Sequence, residues 1–390
     1  MASQTRRSSA GRIPVTLVTG FLGSGKTTLI NAALRAPGMA NTVVVVNEFG
    51  EVGLDHQLVT SSSDQVMVLE NGCLCCTVHS DLVGTLNGLY HDRAAGRIPS
   101  FDNVVIETSG LAEPGPVLQA FLSEPTLDGL YRVATVITLV DVVNWRGTVE
   151  RHDEAVRQVA FADRVLLTKL DLAGDPQAEA LARRDIADLN PAAEIEIVDW
   201  SPKAVAALLT DKGFDAGDSK ADPRPWLKVA AHENPNDHHH HDHGHHHHDH
   251  AGHDHDHHEA HYHLRGKGVE SFVLTREAPL SRDELQFLLD GISQNLGAGL
   301  LRVKGLVNIA GESGKPAVIQ GAQHLLHTMT WLDRWPDKDD RTRIVFITQG
   351  IASAELREIV ELLDRVGART FKARERAKIL QEAVARRSAG

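Results

Sequence analysis

The chain has 390 residues, of which 42% are hydrophobic, so it is long enough for at least two domains with buried cores. Its formal net charge of −12 argues against a protein built around nucleic-acid phosphates. The sequence has no apolar run of membrane-spanning length, and its polar, basic N-terminus lacks the apolar stretch of a secretory signal. We therefore expect a cytoplasmic protein with neither a nucleic acid nor a membrane as its partner.

Apolar, β-branched runs recur through the first half of the chain and predict strands. They lie at residues 15–20, 42–48, 65–70, 103–108, 133–141, 164–169 and 194–199. Such continuous runs are typical of parallel strands that helices cover on both faces, and helical patterns separate many of them. We therefore predict an α/β domain with a mainly parallel, doubly wound sheet over residues 13–210, after a disordered stretch at residues 1–12.

The second half of the chain divides into a histidine-rich segment and a smaller domain. Residues 211–263 hold most of the 23 histidines, interleaved with aspartates, and this composition predicts a disordered linker that stores metal ions. Residues 264–370 predict an α+β domain, for which a ferredoxin-like arrangement is one candidate. Its predicted strands and helices lie at residues 269–275, 300–310, 317–328, 343–349, 281–292 and 353–366. Residues 371–390 predict one more exposed helix.

Two smaller features of this region carry their own expectations. Ser281 and Glu284 have the spacing of a capping box and predict the start of a helix. His324 and His327 lie three residues apart, and we interpret them as ordinary residues of the C-terminal sheet.

The segment "GFLGSGKTT" fits the phosphate-binding pattern G-x-x-x-x-G-K-[ST], and it follows a predicted strand and opens a predicted helix. Its backbone N–H groups and the helix N-terminus would hold a phosphate chain. Lys26 would reach the β- and γ-phosphates, and the Thr27 hydroxyl would bind Mg²⁺. The residues expected to contact the nucleotide here are Gly20, Gly23, Ser24, Gly25, Lys26, Thr27 and Thr28.

Two further strand ends predict the rest of a nucleotide site. Thr168, Lys169 and Asp171 resemble the N/T-K-x-D signature that reads guanine, in which the aspartate accepts hydrogen bonds that adenine cannot donate. The first position is usually Asn, so Thr here weakens one amide contact. Glu107 would hold Mg²⁺ through water, and the Gly110 N–H would sense the γ-phosphate. The bland alternatives are solvated charges at strand ends.

All three cysteines of the chain lie within four positions, in the pattern Cys-x-Cys-Cys. They are Cys73, Cys75 and Cys76. Thiolates suit Zn²⁺ far better than Mg²⁺, and adjacent cysteines form a poor disulfide, so we favour a metal site over a redox pair or a buried thiol cluster. Three thiolates leave a tetrahedral zinc site one ligand short. The candidates for the fourth ligand are Glu48, Glu51, His79 and water, and the two glutamates are also candidates for Mg²⁺.

Five motifs together resemble the CobW family of metal-related P-loop GTPases, which are relatives of the urease and hydrogenase nickel-insertion GTPases. In chain order they are "GFLGSGKTTL", "NEFGEVGLD", "ENGCLCCTV", "ETSGLAEPGPV" and "TKLD". The resemblance implies a P-loop NTPase fold, GTP hydrolysis and metal chaperoning, usually of zinc and in some branches of cobalt. The histidine-rich linker and smaller C-terminal domain also match the family's architecture.

The favoured hypothesis is a GTP-driven metallochaperone that passes metal from the cysteines to a client apo-metalloprotein. Lys26, Thr27 and Glu107 would carry the hydrolysis with Mg²⁺. The alternatives are a cobalt chaperone for corrin synthesis and a zinc buffer or sensor with a slow, regulatory GTPase. The sequence leaves open a nucleotide-dependent dimer.

Overall fold

The computed structural model describes most of the two predicted domains. The described residues are 11–47, 66–71, 78–215, 222–224, 268–312, 314–323, 325–326, 329–352, 354–363 and 365–367. The N-terminal residues 1–10, most of the histidine-rich segment and the predicted tail helix lie outside them. His324 and His327 also lie outside the described residues, so the domain bounds at these places stay predictions.

The N-terminal domain is built on a seven-stranded sheet in which every strand pairs parallel to its neighbours, in the order β3-β2-β4-β1-β5-β6-β7. The strands are β1 (Ile13–Gly20), β2 (Thr42–Asn47), β3 (Val66–Asn71), β4 (Asn103–Glu107), β5 (Tyr131–Asp141), β6 (Arg164–Thr168) and β7 (Glu194–Ile197). The predicted parallel sheet is therefore confirmed, because each apolar run forms one of its strands.

Helices cover both faces of this sheet. They are α1 (Lys26–Ala33), α2 (Val78–Ala94), α3 (Pro114–Ser123), α4 (Pro125–Leu130), α5 (Trp145–Arg151), α6 (Asp153–Phe161), α7 (Ala178–Leu189) and α8 (Pro202–Leu209). Helices α1 and α8 bury apolar side chains on one face. Helices α2 to α7 bury theirs on the other, so the sheet is doubly wound as predicted. Its carboxyl edge is where a ligand would bind.

The C-terminal domain is an antiparallel sheet with helices. Its elements are β8 (Val269–Arg276), α9 (Arg282–Leu296), β9 (Leu300–Val307), β10 (Ala317–Ala322), β11 (Leu325–Leu326), β12 (Thr330–Trp331), β13 (Thr342–Gln349) and α10 (residues 354–363). The main strand order is β11-β10-β9-β13-β8, and β12 pairs with β10. Strands β8 and β9 form a split β-α-β unit around β13, as in ferredoxin-like domains, but α10 follows the last strand instead of preceding it.

One predicted strand of this domain is two strands in the structure. The run at residues 317–328 turns back after β10, and Ala322 pairs with Leu325 of β11. Gln323 makes the turn with a φ of 53°, in the left-handed region. The two residues between Ala322 and Leu325 include no Gly, Pro or Asn, so the sequence lacks the usual signal for a tight turn here.

The C-terminal sheet is buried on both faces. Along β13, Ile344 and Phe346 pack with α9 and α10, whereas Val345 and Ile347 belong to the same apolar cluster as the core of the N-terminal domain. This alternation follows from the period of two along a strand. The two sheets therefore enclose a common layer of helices, including α3 and α6.

A buried charge cluster lies within this contact between the domains. Asp163 accepts a hydrogen bond from the Val136 N–H at 2.8 Å, and it pairs with Arg302 at 2.7 Å and with Lys304. Burial raises the pKa of Asp163, but the two cations and their hydrogen bonds outweigh that effect and hold the pKa below its ordinary value. Burial lowers the pKa of Lys304 to about 8.

Candidate active site

The predicted phosphate loop connects β1 to α1 at the carboxyl edge of the parallel sheet. Gly20, Gly23 and Gly25 have φ angles of 140°, 72° and 103°, a region that side chains disfavour. A Cβ on Gly20 would lie 2.5 Å from the Leu139 carbonyl oxygen. The three glycines of the motif are therefore required by their positive φ angles, and at Gly20 also by the close packing of the loop against β5.

The loop has the features that a phosphate chain requires. The Lys26 Nζ donates hydrogen bonds across the loop to the carbonyl oxygens of Gly20 at 2.8 Å and Phe21 at 3.2 Å. Ser24 Oγ is buried and has no hydrogen-bond partner within the described part of the chain. A bound phosphate would provide that partner, so the loop fits the ligand predicted for it.

Thr27 and Glu107 meet at the start of α1, although 80 positions separate them in the chain. The Thr27 hydroxyl donates a 2.9 Å hydrogen bond to Glu107 Oε1. Glu107 ends β4 and is only 4% exposed. A hydroxyl and a buried carboxylate are oxygen ligands of the kind that Mg²⁺ prefers, so these two residues fit the predicted cation.

The backbone that follows Glu107 lies directly against the phosphate loop. A Cβ on Gly110 would lie 2.7 Å from the Leu22 N atom, so only glycine allows this approach. Gln158, on α6, donates from Nε2 to the carbonyl oxygens of Gly110 and Ala112, both at 3.0 Å. Sequence reasoning missed Gln158, because a glutamine inside an amphipathic helix gives no signal of a contact 48 residues away.

Thr168 joins the predicted guanine signature to the phosphate loop. Its hydroxyl lies 2.9 Å from the Ser24 carbonyl oxygen and 3.2 Å from that of Val140. The buried Thr168 side chain therefore connects β6 to the phosphate loop. This contact needs only a hydroxyl, so it does not require the side-chain amide of the Asn that usually occupies this position.

Lys169 and Asp171 follow at the rim of the site. Lys169 has a φ of 61°, and its Nζ lies 2.8 Å from Asp141 Oδ2. Burial raises the pKa of Asp141, but hydrogen bonds from Lys169 and Asn144 outweigh it and lower the pKa overall. Asp171 is exposed. The sequence reading missed Asp141, although its place at the carboxyl end of β5 was a signal.

Two further residues lie at the carboxyl edge of the sheet, one of them predicted from the sequence and one not. Thr28 is exposed on the first turn of α1, beyond the tight part of the loop. Trp200, in the loop after β7, was not predicted, yet its ring is the nearest atom group to a Cβ built on Gly25, at 3.5 Å. The sequence offered no periodic or motif signal for it.

The residues predicted to hold the transition metal lie outside the described residues, apart from the backbone of His79 in α2. The strands that lead to them are described. Asn47 of β2 pairs with Asn71 of β3, and Val46 pairs with Glu107 of β4. No group of three or more His, Cys, Asp and Glu side chains elsewhere in the described ranges is placed to hold a metal ion.

Across the same residues, no helix is long and apolar enough to cross a membrane.

Two family models match the chain at the places where the two sheets lie. Residues 14–196 match the model described as CobW/HypB/UreG, nucleotide-binding domain, and residues 269–363 match the cobalamin synthesis protein cobW C-terminal domain. Zinc chaperone YjiA of Escherichia coli is 32% identical over 345 residues, which is 88% of this chain and 96% of that protein. The chain belongs to the CobW family.

Further relatives agree with this membership. Zinc chaperone CobW of Pseudomonas aeruginosa is 37% identical over 221 residues, which is 49% of this chain and 57% of that protein. The crystal structure of Zn(II)-bound YjiA GTPase from E. coli superposes with a TM-score of 0.64 at 28% identity, over 90% of this chain and 99% of that chain. The CobW fold, including its C-terminal domain, is therefore shared along almost the whole length.

Proposed function

We propose that this CobW-family protein binds and hydrolyses GTP and couples hydrolysis to the transfer of a metal ion to a client apo-metalloprotein. The observation that carries the proposal is the Thr27–Glu107 hydrogen bond at the end of β4. The next two strands along the edge are β2 and β3, whose carboxyl ends lead into Glu48 and into the cysteine segment. Hydrolysis chemistry and metal ligands would therefore share one edge of the sheet.

The chain's own groups would carry the GTPase chemistry. The loop N–H groups and Lys26 hold the phosphates and stabilise the charge that develops on them. Mg²⁺, held by Thr27 and by Glu107 through water, would neutralise part of the phosphate charge. The Gly110 backbone lies close enough to the loop to respond to a γ-phosphate, and the base would be read by Thr168, Lys169 and Asp171.

The metal proposal rests on ligand chemistry and on the relatives. Three cysteines, at positions 73, 75 and 76, supply soft ligands, and Glu48 is our choice for the fourth, ahead of Glu51, His79 and water. Zinc is favoured over cobalt because two relatives, YjiA and CobW, are named zinc chaperones, and one of them, YjiA, has a Zn(II)-bound structure. We place the protein in the cytoplasm, where such cysteines remain thiols.

A zinc buffer or sensor with a slow GTPase is the second candidate function. The histidine-rich segment favours it, because many imidazoles on one chain bind divalent ions with little selectivity. In the chaperone model, the same segment raises the metal concentration near the cysteines. Nucleotide-dependent dimers are compatible with both functions.

Cobalt(II) is a suitable probe, because its charge-transfer absorption with thiolates is separate from its absorption with imidazoles. We expect the thiolate band in the full chain and in the neighbouring control Thr77→Ala, and a weaker band in Cys75→Ser, which keeps only two of the three thiolates. Affinity followed by this band should differ between GDP and a non-hydrolysable GTP analogue. Absence of a thiolate band from the full chain would place the metal elsewhere, and an affinity independent of nucleotide would favour the buffer.

Transfer itself needs a separate measurement. An apo-metalloprotein client should gain zinc from the loaded chain with GTP and Mg²⁺, and much more slowly with the non-hydrolysable analogue. Phosphate should be released from GTP and not from ATP, because adenine lacks the pair of hydrogen-bond donors that the Asp171 carboxylate would accept from guanine. Equal transfer rates with both nucleotides would contradict coupling to hydrolysis.

A further inference from the structure

Trp200 is a large aromatic side chain to which the proposed chemistry assigns no role. It lies between β7 and α8, and 41% of it is exposed. The ring is not needed to shape this loop, because Asp199 Oδ1 accepts a 2.9 Å hydrogen bond from the Ser201 N–H and α8 begins at the next residue. An exposed indole at the carboxyl edge of the sheet, where ligands bind in such folds, therefore indicates contact with a ligand.

The sheet places Trp200 beside the guanine signature. Strands β6 and β7 are parallel neighbours, and Leu167 pairs with Ile197. The loops that follow the two strands therefore emerge side by side at the carboxyl edge. Trp200 and Lys169 lie in these neighbouring loops.

The tip of the indole reaches the end of the phosphate loop that leads into α1. A Cβ built on Gly25 would lie 3.5 Å from Trp200 Cη2. The preceding residue, Ser24, accepts the Thr168 hydroxyl through its carbonyl oxygen. Trp200 and the guanine signature thus flank the same end of the loop, opposite the end at which Lys26 reaches back to Gly20.

The loops after β6 and β7 carry exposed apolar side chains beside charged ones. Leu172, directly after the guanine signature, is 65% exposed, so two large apolar side chains stand in the neighbouring loops. A purine has apolar faces and polar edges, and stacking of a base on an aromatic ring is favourable whatever the edge pattern. Together, the two loops carry the apolar surface and the polar groups that a purine site needs.

We propose that Trp200 packs its indole ring against the purine of the bound guanine nucleotide and sets much of the affinity for the nucleoside part. The inference rests on the GTP binding proposed above. Trp200 acts here as a binding residue, and phosphate recognition stays with the loop and Lys26.

The test uses the full-length protein, with GDP and with inorganic pyrophosphate as ligands, each in the presence of Mg²⁺. Trp200→Ala should weaken GDP binding by roughly tenfold, and Trp200→Phe by a smaller factor, because phenylalanine retains a ring. Pyrophosphate should bind the wild type and both variants equally. The control is Trp331→Phe, because the Trp331 ring of the wild type lies under Arg282 in the C-terminal domain. GDP should quench the tryptophan fluorescence of the wild type and of this control. It should not quench Trp200→Phe to the same extent.

The outcomes separate this inference from the function on which it rests. GDP affinity unchanged in Trp200→Ala, or full quenching retained in Trp200→Phe, would overturn the role of Trp200 while leaving GTP binding intact. Equal weakening of GDP and pyrophosphate would also overturn it, because the ring would then support the loop. Failure of the wild type to bind any guanine nucleotide would overturn both. Should Trp200→Ala not fold, the fluorescence of Trp200→Phe still decides.

Discussion

Thr27 is the residue whose single hydroxyl connects the phosphate loop to β4. Thr27→Ala should lower the rate of GTP hydrolysis by roughly 10²-fold, the size of effect expected when one contact that stabilises the transition state is lost. GDP binding without Mg²⁺ should change little, because the loop N–H groups remain. Steady-state phosphate release and binding titrations with and without Mg²⁺ measure both.

Thr27→Ser is the matched control for that substitution. It keeps the hydroxyl that lies 2.9 Å from Glu107 Oε1, so hydrolysis should stay within about tenfold of the wild type. Similar rates for the alanine and serine variants would show that the hydroxyl does not take part.

Gly110 allows two segments to approach that a side chain would separate. Gly110→Ala should cost about 1–3 kcal/mol of unfolding free energy and weaken nucleotide binding, because the new methyl group would meet the Leu22 backbone at 2.7 Å. Gly88→Ala, in the exposed interior of α2 with no atom within 4 Å, should instead gain about 0.5–1 kcal/mol. Urea unfolding of both variants measures the difference, and equal shifts would contradict the steric argument.

Spacing along the chain predicts the candidate site residues of the phosphate-binding motif. The φ angle of Gly20 and the hydrogen bonds of Lys26 and Thr27 are compatible with that prediction. Gln158 and Asp141 were not predicted, because their contacts join segments that only the tertiary fold brings together. A local pattern carries no record of such pairs.

At the scale of one element, helix α9 shows a prediction from residue spacing that the structure reproduces. Ser281 Oγ accepts from the Glu284 N–H at 3.1 Å, and Glu284 Oε2 accepts from the Ser281 N–H at 2.7 Å. Ser281→Ala should therefore cost about 1 kcal/mol of unfolding free energy, whereas Ser281→Thr should cost only a few tenths. Chemical denaturation followed by circular dichroism tests this, and equal losses in the two variants would refute the capping role.

Element boundaries were less predictable where packing, and not local chemistry, decides them. The capping box marks the start of α9 through two side-chain bonds between neighbours. The turn at Gln323 has no such local signal, and the hairpin of β10 and β11 is held in part by contact of Gln323 with Gln119 of α3. Gln119 lies 204 positions away in the chain, so the local pattern of residues 317–328 predicted a single continuous strand.

At the scale of the whole molecule, the charge cluster between the domains predicts a pH dependence. Burial lowers the pKa of Lys304 from 10.5 to about 8, even though Asp163 favours its charged form. Between about pH 8 and 10.5 the unfolded chain therefore binds more protons than the folded one. The contribution of Lys304 to stability should be constant below about pH 8 and rise above it, by up to about 1.4 kcal/mol per pH unit.

Lys304→Met isolates this effect, because the variant lacks the titrating group but keeps a side chain of similar length. The unfolding free energy of the wild type minus that of Lys304→Met should increase between pH 8 and pH 10. Urea unfolding over that range measures it, with the other titrating groups common to both proteins. A difference that stays flat would show that Lys304 keeps its ordinary pKa when folded, and one that falls would show that folding raises the pKa.

The core that both sheets share has a consequence for how the polypeptide responds to a protease. Val345 and Ile347 pack in the cluster that also holds the N-terminal core, and the chain between Arg224 and Gly268 connects two parts that already adhere. One cut within residues 225–267 would sever the covalent link without removing that apolar contact. The two fragments should then elute together from a sizing column and separate only in denaturant, because the apolar contact between the domains does not depend on the severed peptide bond.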